Sequence, residues 1–184
     1  MIVKDFAGKP WWSRCVGRLL IRRECRAYRR LGSAPGFPGL VDRVDAYALA
    51  LEKVEGIQLI RSPTRFKQGT NYLNAIRRSL DSLHQAGIAH LDLRGRENVV
   101  LADNGRVILL DLGGAICLRP GSLAHRLLFP LLSAADESAY LKWKEILEAG
   151  PYDARERQQL RRYRVARLLW PFRREGRPWT RKNG

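Results

Sequence analysis

Asn104-Gly105 separates two short apolar runs, Val99–Ala102 and Val107–Leu110, and is the feature that most restricts how this chain folds. Asn-Gly favours a two-residue type I′ turn, because both central residues tolerate a positive φ. Such a turn fixes the register of the strands on either side. That register sets Asp103 opposite Arg106 and, carried along the ladder, Asn98 opposite Asp111 where the hairpin opens. Directly opposed residues hold their Cβ atoms about 4.5–5.5 Å apart. An amide oxygen and a carboxylate at that spacing can share one hard cation. Mg2+ takes one or two protein oxygens together with substrate phosphates. A second carboxylate, Asp92, stands six residues before Asn98 in a polar loop that begins at His90.

Ile2–Phe6 alternates and reads as a strand with Lys4 in its middle. Ser13 is placed to cap a helix over 14–31, on which Leu20, Ala27 and Leu31 form one stripe at helical spacing. Glu24 falls on that stripe. A carboxylate on a face suited to burial is costly unless paired; at the edge of the stripe it would instead pair with Arg23 or Arg29 in solvent. Gly32–Gly39 is a loop by its Gly and Pro content, and Leu40–Val44 and Ala46–Val54 read as strands, the second running into Glu55-Gly56. After a polar connection over 61–70, Asn71–Gln85 is a helix with Leu73, Ile76, Leu80 and Leu83 on one face and Gly87 as its C-cap. Beyond Gly113, helices are expected over 122–132 and 138–149, with Asp136 and Glu137 near the start of the second. A strongly basic helix over 153–170 follows, then a frayed tail.

A chain of 184 residues is one domain, or one domain with a tail, and 45% hydrophobic content supports a core. The net charge is +16, half of it after Gly113, where 15 Lys and Arg face 7 Asp and Glu. Such a charge favours an anionic partner: nucleotide, nucleic acid, phosphorylated glycolipid or anionic membrane. The basic C-terminal helix packs on the protein, lies on an anionic membrane surface, or binds nucleic acid, the last being the least favoured. No run of 18 apolar residues predicts a spanning helix, and the N-terminus lacks a secretory pattern. Cys15, Cys25 and Cys117 form no metal motif and read as reduced thiols. These features place the protein in the cytoplasm, with peripheral attachment at the inner membrane face as an option.

Taken singly, Asp92, Asn98 and Asp111 are ordinary loop and strand-end residues. Together, the series His90-Leu91-Asp92, Asn98, a hairpin, then Asp111-Leu112-Gly113 resembles the catalytic core of the protein-kinase-like superfamily. The loop Asp92–Asn98 and the small size look most like bacterial kinase-like proteins of the RIO and lipopolysaccharide-kinase branches. The resemblance covers about residues 2–113 and implies an α+β fold. A reduced N-lobe and hinge would occupy 1–56, without the strands that carry the glycine-rich loop. A mainly helical C-lobe would occupy 57–150, and the basic helix and tail 151–184.

The resemblance also implies ATP and Mg2+. Lys4, held by Glu24, would orient the α- and β-phosphates, and the hinge from Glu52 to Gly56 would bind adenine through its backbone. Asn98 and Asp111 would hold Mg2+, and Asp92 would accept the proton of an attacking hydroxyl. Arg94 would neutralise charge on the transferred group, and His90 would support the loop. The acceptor would be a sugar hydroxyl of a cell-envelope glycolipid or a protein Ser or Thr. Three departures stand out: Asn98 is one residue further from Asp92 than in the standard protein-kinase loop, Leu112 replaces the usual Phe, and the chain begins almost at Lys4. They leave a catalytically inactive kinase-like binding module as the alternative. Charge alone motivates a third reading, a nucleic-acid-binding protein.

Overall fold

In the computed structural model, which describes residues 1–148 and 154–158, helices and small antiparallel sheets form an α+β arrangement around one main apolar core. Strand β1 (Ile2–Asp5) and strand β2 (Leu40–Asp42) flank β3 (Ala48–Leu51), whose four residues are all buried. Lys4 stands opposite Leu49. The strands on either side of residue 45 are shorter than their apolar runs, because Asp45 turns the chain. Its Oδ1 accepts the backbone N–H groups of Tyr47 (2.6 Å) and Ala48 (2.8 Å).

Helix α1 (Trp11–Leu31) starts ahead of the expected position. Pro10 occupies the cap, with φ −52° and no side-chain capping bond, so Ser13 lies inside the helix rather than at its end. Gly17, Ile21, Glu24, Cys25 and Tyr28 form the buried face, and Glu24 is therefore carried inside. Strand β4 (Gly56–Gln58) and helix α2 (Gly69–Gln85) follow. Leu73, Ile76, Leu80 and Leu83 of α2 reach the core as the periodicity predicts, and Gly87 closes the helix with its N–H on His84 O (2.9 Å).

Strand β5 (Ile88–Ala89) leads into the loop that begins at His90, and β6 (Val99–Ala102) and β7 (Val107–Leu109) form the hairpin. β6 also pairs with β4, while β5 pairs with β8 (Ile116–Cys117). The turn is not type I′. Asn104 has no positive φ, whereas Gly105 has φ +80°. Ala102 O accepts from Gly105 N, and Ala102 N donates to Arg106 O, both at 2.8 Å. This is a three-residue loop with glycine in the left-handed position. The ladder is consequently one residue out of the expected register: Leu101 faces Val107, and Leu110 N donates to Asn98 O (2.8 Å). Asn98 is opposite Leu110, not Asp111.

A second correction concerns the helices after Gly113. Leu123–Glu148 is one helix, α3, not two. Ser122 caps it, its Oγ accepting from His125 N at 3.1 Å. Pro130 costs one backbone hydrogen bond, but residues 133–137 contain no breaker, and Ala134 and Ala135 favour helix. Of the expected basic helix over 153–170, residues 154–158 are helical and the rest lies outside the described residues. Among the described residues no helix is long and apolar enough to cross a membrane.

The loop geometry gives a direct expectation. Gly105→Ala forces a Cβ into the left-handed region, although nothing crowds it within 4 Å. It should lower stability by about 1 kcal/mol in urea denaturation, from backbone strain alone. Unchanged stability would contradict the turn described here.

Candidate active site

β1 and α1 bring Lys4 and Glu24 together across 20 residues, and the hairpin brings Asp111 to the same ammonium across 107. Lys4 Nζ donates to Glu24 Oε1 at 2.7 Å and to Asp111 Oδ1 at 3.0 Å. The two pairs differ in depth: the Glu24 side chain is 2% exposed and that of Asp111 50%. Burial pushes the Glu24 carboxyl above its ordinary range, against the pull of Lys4. Burial also disfavours the charged forms of Lys4 and Asp111, but here the ion pairs win. Lys4 holds its proton above the usual lysine range, and Asp111 ionises below the usual carboxylate range.

Asp111 reaches this position through an uncommon backbone. It has φ 62° and ψ 76°, and with Leu91 it is one of two non-glycine residues with positive φ among those described. Its Oδ1 also accepts from Gly113 N (3.2 Å), which starts a tight turn over Leu112–Gly114. A Cβ at Gly113 would sit 3.1 Å from Asp111 Oδ1 and 3.7 Å from Glu24 Oε2, so the glycine leaves room for the three charges. A Cβ at Gly114 would lie 4.0 Å from Asp92 Cβ. The turn thus joins the Lys4–Glu24–Asp111 cluster to the loop that carries Asp92.

That loop is built around His90, which is fully buried. His90 Nε2 meets Leu110 O at 3.1 Å, and Asp92 N points at His90 Nδ1 at 3.4 Å. A carbonyl only accepts and an N–H only donates, so this arrangement suits the tautomer that donates from Nε2 and accepts on Nδ1. Asn98, 4% exposed, donates from Nδ2 to Asp92 O (2.8 Å) and Asp92 Oδ2 (3.3 Å). Gly95 lies close against this amide: a Cβ there would come within 2.9 Å of Asn98 Nδ2.

Helix α3 holds the loop from behind. Asp136, 1% exposed, accepts from His90 N and Leu91 N, one on each carboxylate oxygen and both at 2.8 Å. His84 Nε2 lies 3.1 Å from its Oδ2. Trp143 Nε1 donates to Leu93 O (2.9 Å), and Arg94 Nη2 donates to Ser138 Oγ (3.0 Å). Asp136 was readable as a helix residue but not as a support of the site. Its signal is a carboxylate in step with Leu132, Ala139 and Trp143, all buried on α3.

The structure therefore gathers Lys4, Glu24 and Asp111 in one contact group and His90, Asp92 and Asn98 in another, with a single turn between them. Arg94 is engaged with α3. Glu52 and Gly56 stand apart: Glu52 N donates to Gly39 O (2.9 Å) while the Glu52 carboxylate takes Gly39 N (3.0 Å), and Gly56 pairs with Ala102 on β6. Among the described residues, no group of three His, Cys, Asp or Glu is placed to hold a metal. Mg2+ needs no such cage when phosphates complete its shell. The half-exposed Asp111 carboxylate and the Asn98 Oδ1, which accepts no hydrogen bond among the described residues, are hard oxygens suited to it.

Asp136→Ala strands two backbone N–H groups and should cost about 3–5 kcal/mol in urea denaturation. Asp136→Asn, which keeps one acceptor oxygen, should cost less. A loss under about 1 kcal/mol in the alanine variant would show that the loop does not hang from this carboxylate. The Lys4–Asp111 pair sets a pH window. Asp111 is lowered from 3.8, so its contribution is complete above that pH and is lost as pH falls through the folded value. Lys4 is raised from 10.5, so its contribution is complete below that pH and is lost as pH rises through the folded value. A Lys4→Met, Asp111→Asn double-mutant cycle should give about 0.5–1 kcal/mol at neutral pH. Zero coupling there would contradict the pair. No protein-family model and no curated protein sequence matches this chain.

Proposed function

We propose that the chain is an ATP- and Mg2+-dependent phosphotransferase of protein-kinase-like fold, acting on a hydroxyl acceptor. The observation that carries this proposal is the ammonium of Lys4, held 2.7 Å from the buried Glu24 and 3.0 Å from Asp111, one turn away from the Asp92–Asn98 pair. An ammonium with a deep carboxylate behind it and a half-exposed one beside it is positioned for an anionic ligand. Phosphates would take the place of Asp111 on the exposed side, while Glu24 keeps Lys4 from swinging out.

Phosphoryl transfer asks little covalent chemistry of a protein and much positioning. Lys4 would bind and orient the α- and β-phosphates. Asp111 and Asn98 would hold Mg2+, which when bound draws off negative charge from the phosphates. Asp92, fixed by the Asn98 amide and by Asp92 N on His90, would accept the proton of the attacking hydroxyl. Between β3 and β4 the backbone groups of Lys53 and Val54 make no hydrogen bond among the described residues, which leaves them for the adenine edge. A glycolipid sugar hydroxyl and a protein Ser or Thr hydroxyl both suit this base.

Thermal melting with and without ATP and Mg2+ tests the proposal. A ligand that binds only the folded state adds about 2.7 kcal/mol at a hundredfold excess over its dissociation constant. The wild type should show a magnesium-dependent rise in Tm that Asp111→Ala abolishes. Asp92→Asn should keep the rise and lose ADP formation. No rise at millimolar ATP would overturn the proposal, and a rise without ADP formation in the wild type would leave a nucleotide-binding module.

A further inference from the structure

Arg22, Arg26, Arg29 and Arg30 of α1 join Arg43 around an open cleft of about 470 Å3, which Cys25 also lines. Among the described residues, no carboxylate lines this cleft. None of the five arginines makes an ion pair among the described residues. Two are fixed by neutral acceptors. Arg30 Nη1 donates to Leu118 O (2.7 Å) and Ala86 O (3.3 Å), and Arg43 Nε donates to Asp45 O (2.9 Å). The acidic residues on either side of Arg43 in sequence accept local backbone bonds: Asp45 Oδ1 takes Tyr47 N and Ala48 N, and Asp42 Oδ1 takes Arg43 N.

Five guanidinium groups around one hollow repel one another, and a +16 chain supplies little relief. Their spacing defines what relieves them. At 1.5 Å rise per residue, Arg22, Arg26 and Arg29 follow one another along one side of the helix at about 6 Å and about 4.5 Å. Each guanidinium presents a planar fork of donors that matches phosphate oxygens. The volume is that of a small-ligand site, but its lining is cationic where such sites are mostly apolar. Among the described residues no aromatic side chain lines it, so these residues offer no stacking platform for the bases of a single-stranded nucleic acid.

We propose that this cleft binds a ligand carrying two neighbouring phosphate groups, at a site separate from the Lys4 cluster and independent of the phosphotransferase proposal. The ligand is a soluble diphosphate or a phosphorylated lipid headgroup, which share this chemistry.

Calorimetric titration of the full chain with inorganic pyrophosphate in EDTA tests it. Arg22→Ala with Arg26→Ala should weaken binding at least about tenfold, since each charged hydrogen-bonding pair lost is worth that factor. Arg22→Lys with Arg26→Lys, which keeps the charge and loses the forks, should fall between. Lys4→Met should retain the binding that the alanine pair loses, and a control removing the exposed Arg78 and Arg126, on α2 and α3, should bind as the wild type does. Cosedimentation with phosphatidylcholine vesicles containing cardiolipin separates the sources. Vesicle binding lost in the alanine pair assigns a lipid headgroup, and pyrophosphate binding without vesicle binding assigns a soluble ligand. Equal affinity in the wild type and the alanine pair, or an equal loss in the Arg78 and Arg126 control, overturns the site. All the substituted arginines are on helices and solvent-exposed, so alanine or lysine there does not threaten folding.

Discussion

A buried carboxylate needs donors, and Asp136 has found its donors in the backbone of the loop that carries Asp92. At 1% exposure an unsatisfied Asp136 would cost several kcal/mol. Satisfied by His90 N, Leu91 N and His84, it becomes the point from which the loop hangs. Leu91 pays part of this in backbone strain, with φ 67°, a conformation that costs a branched side chain roughly 1–2 kcal/mol. The two backbone bonds to Asp136 over-determine that strained residue. The same bonds explain why α3 runs unbroken: its middle must pass behind residues 90–94, so that Asp136, Ser138 and Trp143 meet Leu91, Arg94 and Leu93 from one rigid element.

The loop in turn fixes the charges. His90 joins Asp92 N to Leu110 O, and Leu110 N joins Asn98 O. Asp111 is the next residue, so its left-handed backbone starts from a point already tied to both ends of the loop. Lys4 then lies between two carboxylates, and the triad carries one net negative charge. The deep pair with Glu24 cannot be exchanged for water without burying an uncompensated charge. The pair with Asp111 is partly solvated and worth little by itself, so an incoming phosphate competes against a weak bond, not a strong one.

How much of this was legible depends on the kind of signal. Glu24 on an apolar stripe demanded a partner, but only the resemblance to kinase-like proteins named Lys4; the stripe itself left Arg23 and Arg29 open as well. Asp136 carries the same signal on α3 and was missed, because splitting that helix at 133–137 removed the stripe on which it stands. The hairpin was legible as a hairpin but not in its register. Glycine after asparagine serves a type I′ turn and a three-residue loop equally, since both need a left-handed residue at Gly105. A one-residue slip turns side chains to the opposite face. Asp111, with its positive φ, nevertheless flanks at Gly113 and Gly114 the same turn as Asp92, which the Asn98 amide holds. No pattern of residue types announces such a φ in an aspartate. Arg94 and Glu52 illustrate a different limit: chain order gave them positions, but orientation came from Ser138 and Gly39, partners far away in sequence.

Helix α1 is where these constraints meet. Its buried face delivers Glu24 to Lys4, and its C-terminal end is tied by Arg30 to Ala86 O and Leu118 O. Those carbonyls flank the β5–β8 pair, which Leu118 N closes on Gly87 O just before the chain enters the His90 loop. One helix is thus anchored both to the charge cluster and to the segment that leads into the Asp92 loop. Any force on its outer arginine face acts on an element whose inner face sets the position of Glu24. Moving α1 outward would separate Glu24 from Lys4 and leave a carboxylate buried without its counter-charge, a state several kcal/mol less stable. The helix therefore has a stiff inner attachment, while Arg22, Arg26, Arg29 and Arg30 of its outer face make no ion pair among the described residues.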